Sequence, residues 1–361
     1  MKQIQTATTY FPALTGVRAV AAFMVYFHHN NPISIVVFGA GLHNFFSEMH
    51  IGVTIFFVLS GFLITYRYYN LKHIPIKKYI INRLSRIYPM YFLLTSLTFV
   101  FSVMINPVNI LASIKLYVLN CTFLKGFFDN FKFTGIAQGW SLTVEEMFYL
   151  LAPFFFMLIK KGKYFLIILP IVILLSGFLL VFVFKNSSFY GLMSSINFML
   201  DYTFFGRCIE FFIGIGLAIY IKKFHSFKNM TYFGIAFILF FIFIFSILKE
   251  GSGYGTDGIF GKIINTLLLP FFGIVPLFIG LIQEETTISK IFKSELFQIL
   301  GKSSYVFYLI HIGVFVVILD KISDNYIFQF FTLNVLAIVM YLFLEKPIHR
   351  FIQNKFAENG F

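Results

Sequence analysis

The sequence is short of charge: Asp, Glu, Lys and Arg make up 12% of its 361 residues, about half the usual share of a soluble domain. It holds only two cysteines, Cys121 and Cys208, both in apolar surroundings and at no metal-ligand or redox spacing. That excludes a disulfide framework and gives no zinc site. No internal repeat or low-complexity linker interrupts the chain. Residues 1–9 lack the basic stretch and small-residue cleavage site of a signal peptide, so the first apolar run is expected to stay in the protein. What the chain does have is apolar bulk, with 59% hydrophobic residues and 54 Phe. A water-soluble core cannot absorb that much, and disorder is excluded. The net charge of +13 is spread beside apolar runs rather than gathered in a patch, which removes a nucleic-acid partner.

A membrane helix needs about 20 mostly apolar residues to cross roughly 30 Å of hydrocarbon. Such runs occur near 11–29, 50–69, 87–105, 139–159, 164–184, 204–221, 231–248, 260–282, 299–319 and 326–344. The fold class is therefore all-α and integral to a membrane, with about ten transmembrane helices. The stretch 108–124 follows Pro107 and carries Lys115 and Asn120, and reads as an interfacial or re-entrant segment. If both termini are cytoplasmic, 19 of the loop Lys and Arg fall on the cytoplasmic side and seven opposite, with Arg18 and Arg207 within or at the ends of spans. The positive-inside bias supports that orientation, and anionic lipid accounts for much of the net charge.

Ionisable groups inside a span are expensive and face a cavity or a partner. Arg18 and His29, eleven residues apart in one run, fall about 16 Å apart on nearly the same helix face; snorkelling of Arg18 to lipid phosphate is the plainer alternative. Arg83 and Arg86 are i,i+3 neighbours in RLSRIYP, fit to grip phosphate with two planar forks or simply to anchor a cytoplasmic loop. In GWSLTVEEMFYLLAP, Glu145 and Glu146 follow the only tryptophan, Trp140. They diverge by about 100°, so one at most faces a given cavity, and a capping role from Ser141 is the structural alternative. Arg207 and Glu210 read as a neutralised pair beside Gly214 and Gly216, which permit close helix contact. Gly61, in SGFLI, does the same. His311 lies mid-span three residues after Tyr308, and Glu345 ends the last span before Pro347.

Taken in order, these motifs resemble the acyltransferase family 3 membrane proteins, the group that includes O-antigen and other polysaccharide O-acetyltransferases. The resemblance runs through Arg18 to His29, GVTIFFVLSGFLIT at 52–65, RLSRIYP at 83–89, WSLTVEEMFYL at 140–150, SSYVFYLIH at 303–311 and EKP at 345–347. It implies that Arg18 and His29 serve acyl transfer, that Arg83 and Arg86 handle acyl-coenzyme A from the cytoplasm, and that Glu345 is functional. Two positions depart from the family pattern, Thr54 where an acidic residue is common and Met147 where Gln is common. Some relatives carry an extra-cytoplasmic hydrolase-like domain after the membrane part. This chain ends at Phe361, and the expectation is one membrane domain acting alone or with a separate extra-cytoplasmic partner.

The expected function is thus O-acyl transfer at the cell (cytoplasmic) membrane, from acyl-coenzyme A, acetyl-CoA first, to a hydroxyl of a glycan or glycolipid acceptor. No metal is expected. His29 would act as general base or as a transient acyl carrier, Arg18 would stabilise the oxyanion or grip the donor, and Arg83 with Arg86 would bind donor phosphate. Trp140, Glu145, Glu146, Tyr308 and His311 are supporting candidates, and Glu345 joins the catalytic set. The rival readings are a ten-span transporter or flippase of lipid-linked sugar, and a non-catalytic partner subunit.

Overall fold

Long apolar runs separated by short polar turns fold as helices throughout. The computed structural model describes residues 10–105, 110–187, 189–223, 228–249 and 253–358; Lys2 and Pro107 lie outside them. The helices are α1 (Pro12–His29), α2 (Ile35–Ser47), α3 (Gly52–Tyr68), α4 (Ile76–Ile105), α5 (Ile110–Cys121), α6 (Trp140–Lys161), α7 (Phe165–Phe184), α8 (Ile196–Tyr202), α9 (Phe204–Tyr220) and α10 (Met230–Leu248). Next, α11 (Ile259–Ile263) passes through a π-helical stretch, Ile264–Ile274, into α12 (Val275–Gln283). After α13 (Thr287–Lys293), α14 (Glu295–Ile310) and α15 (Val314–Asp320), α16 (Tyr326–Met340) runs through a π-helical turn, Tyr341–Glu345, into α17 (Lys346–Glu358). Among the described residues there is no strand, only an isolated bridge between Phe128 and Leu192.

Eight helical segments are long and apolar enough to cross a membrane, and the bent pair α14 and α15 makes nine. The tenth expected span corresponds to α1, whose Arg18, His28 and His29 reduce its apolar character. It is nonetheless built into the bundle, with Ala19, Ala21, Ala22 and Tyr26 fully buried. The protein is therefore a multi-pass, all-helical membrane protein. At the other extreme, only 11% of the α7 window is buried, so its Leu, Ile, Val and Phe side chains form a lipid-facing surface.

Neighbouring helices follow the direction that alternating spans require. Thr15 lies against Gly301, Phe23 against Phe307 and His29 against His311, so α1 and α14 run parallel. Meanwhile Gly52 packs on Ala21, and Phe11 on Tyr66, so α3 runs antiparallel to α1. Helices α3 and α9 approach each other closely. A Cβ on Gly61 would collide with the Phe211 carbonyl, and one on Gly214 with the Val58 carbonyl. Both glycines admit backbone where lipid-like side chains give no other drive to associate. Gly216, expected to share this role, faces open space.

Three further expectations change. The run 299–319 is not one straight span: it breaks at residues 311–313 and turns by 83°. Gly313, at φ +88°, takes up the turn where a side chain would be strained. Ser141 does not cap α6. Gly139 occupies that position, and Ser141 Oγ instead donates to the Gln138 carbonyl at 2.9 Å. Finally, α2 was not anticipated, because its 13 residues are too few for a span. Within 108–124, α5 has 12 residues and is likewise too short to cross.

Candidate active site

A cavity of about 820 Å³, its open mouth included, lies between α1, α3, α4, α6 and α14. Arg18 enters from α1, Arg83, Arg86 and Ile87 from α4, Ser60 and a row of apolar residues from Val53 to Ile64 from α3, Ser141, Leu142, Glu145 and Tyr149 from α6, and Tyr305 and Tyr308 from α14. Three guanidiniums thus line it against one carboxylate. None of the three makes an ion pair within 4.0 Å among the described residues, and the buried Nε atoms of Arg18 and Arg83 have no hydrogen-bond partner. Arg83 lies over the Tyr149 ring, 5.7 Å from its centroid.

Of the paired carboxylates, Glu145 faces the cavity and Glu146 does not, as their divergence on one helix requires. Glu145 accepts hydrogen bonds from the Ser60 and Tyr149 hydroxyls. Glu146 Oε1 is buried with no hydrogen-bond partner among the described residues. Glu345 is buried outside the cavity lining, where the charges of Arg86 and Arg18 act on it, and its Oε2 has no hydrogen-bond partner among the described residues. The π-helical turn that carries it shifts its side chain from the register a regular helix would give. Deeper in, the Tyr308 hydroxyl and Ser141 Oγ share a hydrogen bond at 2.8 Å. Gln138 Nε2 donates to the Tyr308 and Leu309 carbonyls at 2.7 and 2.9 Å, covering acceptors that the break in α14 leaves free.

His29 is not in this cavity. It sits at the C-terminal end of α1, exposed and eleven residues beyond Arg18, in a group of imidazoles that includes His28, His50 and His311. One helix face does carry both Arg18 and His29, but the fold places them at the two ends of a path: Arg18 in the cavity wall, His29 beyond its deep end. Tyr308 and His311 bridge the gap, with ring centroids 5.5 Å apart, and His311 is in turn 5.5 Å from His29. The adjacent histidines are also separated in role. His28 Nδ1 is 2.5 Å from the Ser47 carbonyl oxygen, whereas the His29 side chain makes no hydrogen bond among the described residues. Trp140 lies outside the cavity, edge-on to Tyr202 at 5.0 Å.

Sequence reasoning missed Ser60, Tyr149 and Tyr305. Tyr149 was recoverable, since it follows Glu145 by one helical turn; Ser60 comes from another helix and gave no signal. The Arg207 and Glu210 pair is as expected, at 2.7 Å and buried. Thr54, at the position where an acidic residue is common, accepts from Arg207 at 2.9 Å and donates to Asn265 Oδ1 at 2.8 Å, so a neutral link replaces a charge there. Met147 packs as a half-buried apolar residue. Outside the spans, Lys125 is fully buried and donates to the Thr134 and Ile136 carbonyls at 2.7 and 2.5 Å; burial pushes its ammonium down to about 7.

The model of the acyltransferase domain family, acyltransferase family 3, matches residues 11–344. The chain belongs to this family. Among curated proteins, it is 26% identical to "Putative O-acetyltransferase SACOL0978" of Staphylococcus aureus strain COL, over 97% of this chain and 58% of that protein. It is 27% identical to O-acetyltransferase OatA of Staphylococcus aureus strain NCTC 8325 / PS 47, over 94% of this chain and 57% of OatA. The chain therefore spans a little under three fifths of the length of these relatives. No solved structure matches it. The match covers every helix that builds the cavity, so the arginines, Glu145 and Tyr308 all lie within the family's own region.

Proposed function

We propose that this acyltransferase moves an acyl group, acetyl first, from acyl-coenzyme A on the cytoplasmic side of the cell membrane to a hydroxyl of a glycan or glycolipid on the far side. The observation that carries the reading is the cavity itself. It has guanidiniums without ion-pair partners, an apolar α3 wall, and a deep end that points through Tyr308 toward His29. Phosphates of the donor bind Arg83 and Arg86, each a planar fork of donors. The apolar wall accommodates an extended acyl-carrying arm that brings the thioester to His29, and Arg18, about 16 Å away along α1, grips the donor. Glu345, buried and under the influence of Arg86 and Arg18, offsets part of their positive charge without an ion pair within 4.0 Å among the described residues.

His29 serves the acceptor. It takes the hydroxyl proton as general base, or carries the acyl group for one step as nucleophile. In either case the thioester C–S bond breaks, an ester C–O bond forms, and the acceptor proton leaves with the coenzyme A thiol. The separation of Arg18 from His29 along α1 suits a reaction whose donor and acceptor arrive from opposite faces. The names of the O-acetyltransferase relatives support acetyl as the group moved.

The test is the purified chain in lipid nanodiscs with acetyl-labelled acetyl-CoA and octyl glucoside as a sugar-hydroxyl acceptor. Labelled ester and stoichiometric coenzyme A thiol are expected. Donor neither bound nor consumed by a folded chain would leave the transporter and partner-subunit readings. Reporter fusions check the orientation: residue 77 is expected in the cytoplasm, and an external signal there would reverse the donor side.

A further inference from the structure

The histidine end of the bundle holds a second imidazole that the reaction outlined above does not use. His311 is completely buried. It ends α14 at the 83° bend, so its ring is turned into the bundle while the chain departs through Gly313. Its Nδ1 is 2.8 Å from the Tyr308 carbonyl oxygen. A carbonyl can only accept, so Nδ1 carries the hydrogen, and in the neutral ring Nε2 is left as a lone pair. That Nε2 is buried and has no hydrogen-bond partner among the described residues. Buried acceptors are rarely left so, and each such case calls for a reason.

The ring beside it is His29, centroids 5.5 Å apart and planes inclined by 33°. His28 is held by the Ser47 carbonyl, and the hydroxyl of Tyr308 is engaged with Ser141. Phe307 stacks on His311 at 13° and offers no donor. His29 is thus the adjacent ring still able to donate, and a small rotation or one bridging water brings its N–H to the vacant acceptor.

We infer that His311 is a positioning residue for His29: its Nε2 accepts the His29 ring N–H, fixes the His29 tautomer, and leaves the other His29 nitrogen free to meet the acceptor hydroxyl. This rests on the acyl-transfer reading, and it holds whether His29 is base or nucleophile, because both need that free lone pair. The logic is that of any imidazole whose working nitrogen is set by the partner of the other. The break in α14 then has a purpose. A continuing helix would bond the Tyr308 carbonyl to the amide of residue 312, whereas the break leaves that carbonyl free to take His311 Nδ1.

The test uses the full chain in nanodiscs, with labelled acetyl-CoA and octyl glucoside. His311→Leu keeps bulk and removes both nitrogens; kcat should fall on the order of a hundredfold while the KM for acetyl-CoA stays within twofold. In His311→Gln the side-chain amide reaches the Nε2 position and can accept, so at least tenfold of the loss should return. His311→Asn reaches only the Nδ1 position and should resemble Leu; it replaces Leu if that variant fails to accumulate in the membrane. A His311→Leu enzyme within threefold of the parent, or Gln no better than Asn, overturns the inference. If His29→Ala is dead while His311→Leu is normal, only this inference falls; a parent chain with no acetyl transfer overturns the acyl-transfer reading and this one with it.

Discussion

Replacing Arg83 or Arg86 with Lys separates donor binding from mere anchoring of a loop. Lys keeps the charge and satisfies the positive-inside bias equally well, so a residue that only anchors should tolerate it. The structure shows what Lys would lose. Both arginines line the same cavity, neither makes an ion pair within 4.0 Å among the described residues, and Arg83 spreads its guanidinium over the Tyr149 ring. A Lys at 83 has neither the planar fork nor the flat face that stacks. Loss of one charge-assisted contact costs about 1.5–3 kcal/mol, or roughly ten- to a hundredfold in affinity. The assay is titration of coenzyme A onto Arg83→Lys and Arg86→Lys in nanodiscs, with Arg350→Lys, exposed and outside the cavity, as control. Weaker binding in the first two and none in the control is expected. Less than twofold change at both, or an equal loss at Arg350, refutes the assignment.

His29→Ala should abolish acetyl transfer while coenzyme A still binds at the arginine end, and His28→Ala should retain turnover with a stability loss of about 1 kcal/mol from its broken contact to the Ser47 carbonyl; equal activity of His29→Ala and parent would remove His29 from the chemistry. Gly61→Ala should destabilise by about 1–3 kcal/mol through overpacking against the Phe211 carbonyl, whereas Gly216→Ala, facing open space, should leave thermal unfolding in detergent nearly unchanged. Lys125 has a folded pKa near 7, below the value of about 10.4 for a free lysine, so the unfolded chain binds more protons between those values and stability rises with pH there. The melting-temperature advantage of parent over Lys125→Met should therefore grow from pH 7 to pH 10; a flat difference across that window would show that Lys125 is not held in a desolvated site.

The sequence by itself determined the spanning helices and several of the charged groups that line the cavity. Apolar length is a local property, and it located nine spans and the tenth, α1, because a helix must satisfy its own backbone wherever lipid surrounds it. Motif order was local too, and it singled out Arg18, Arg83, Arg86, Glu145 and Tyr308, which the fold gathers around one cavity. What only the tertiary structure decided depends on contacts between distant helices. Helical divergence says that Glu145 and Glu146 cannot share a cavity, but the position of α3, with Ser60 in reach, selects Glu145. Spacing puts Arg18 and His29 on one face, but the neighbours packed along α1 assign them to opposite ends of a path. The break at His311 was hidden because the run 299–319, although it holds Lys302, Ser303, Ser304 and His311, is apolar enough overall to read as one span, and a bend depends on Gly313 reaching a positive φ and on Gln138 covering the freed carbonyls. Periodicity reports which way a side chain points from its own helix; what stands opposite is settled only when the helices pack.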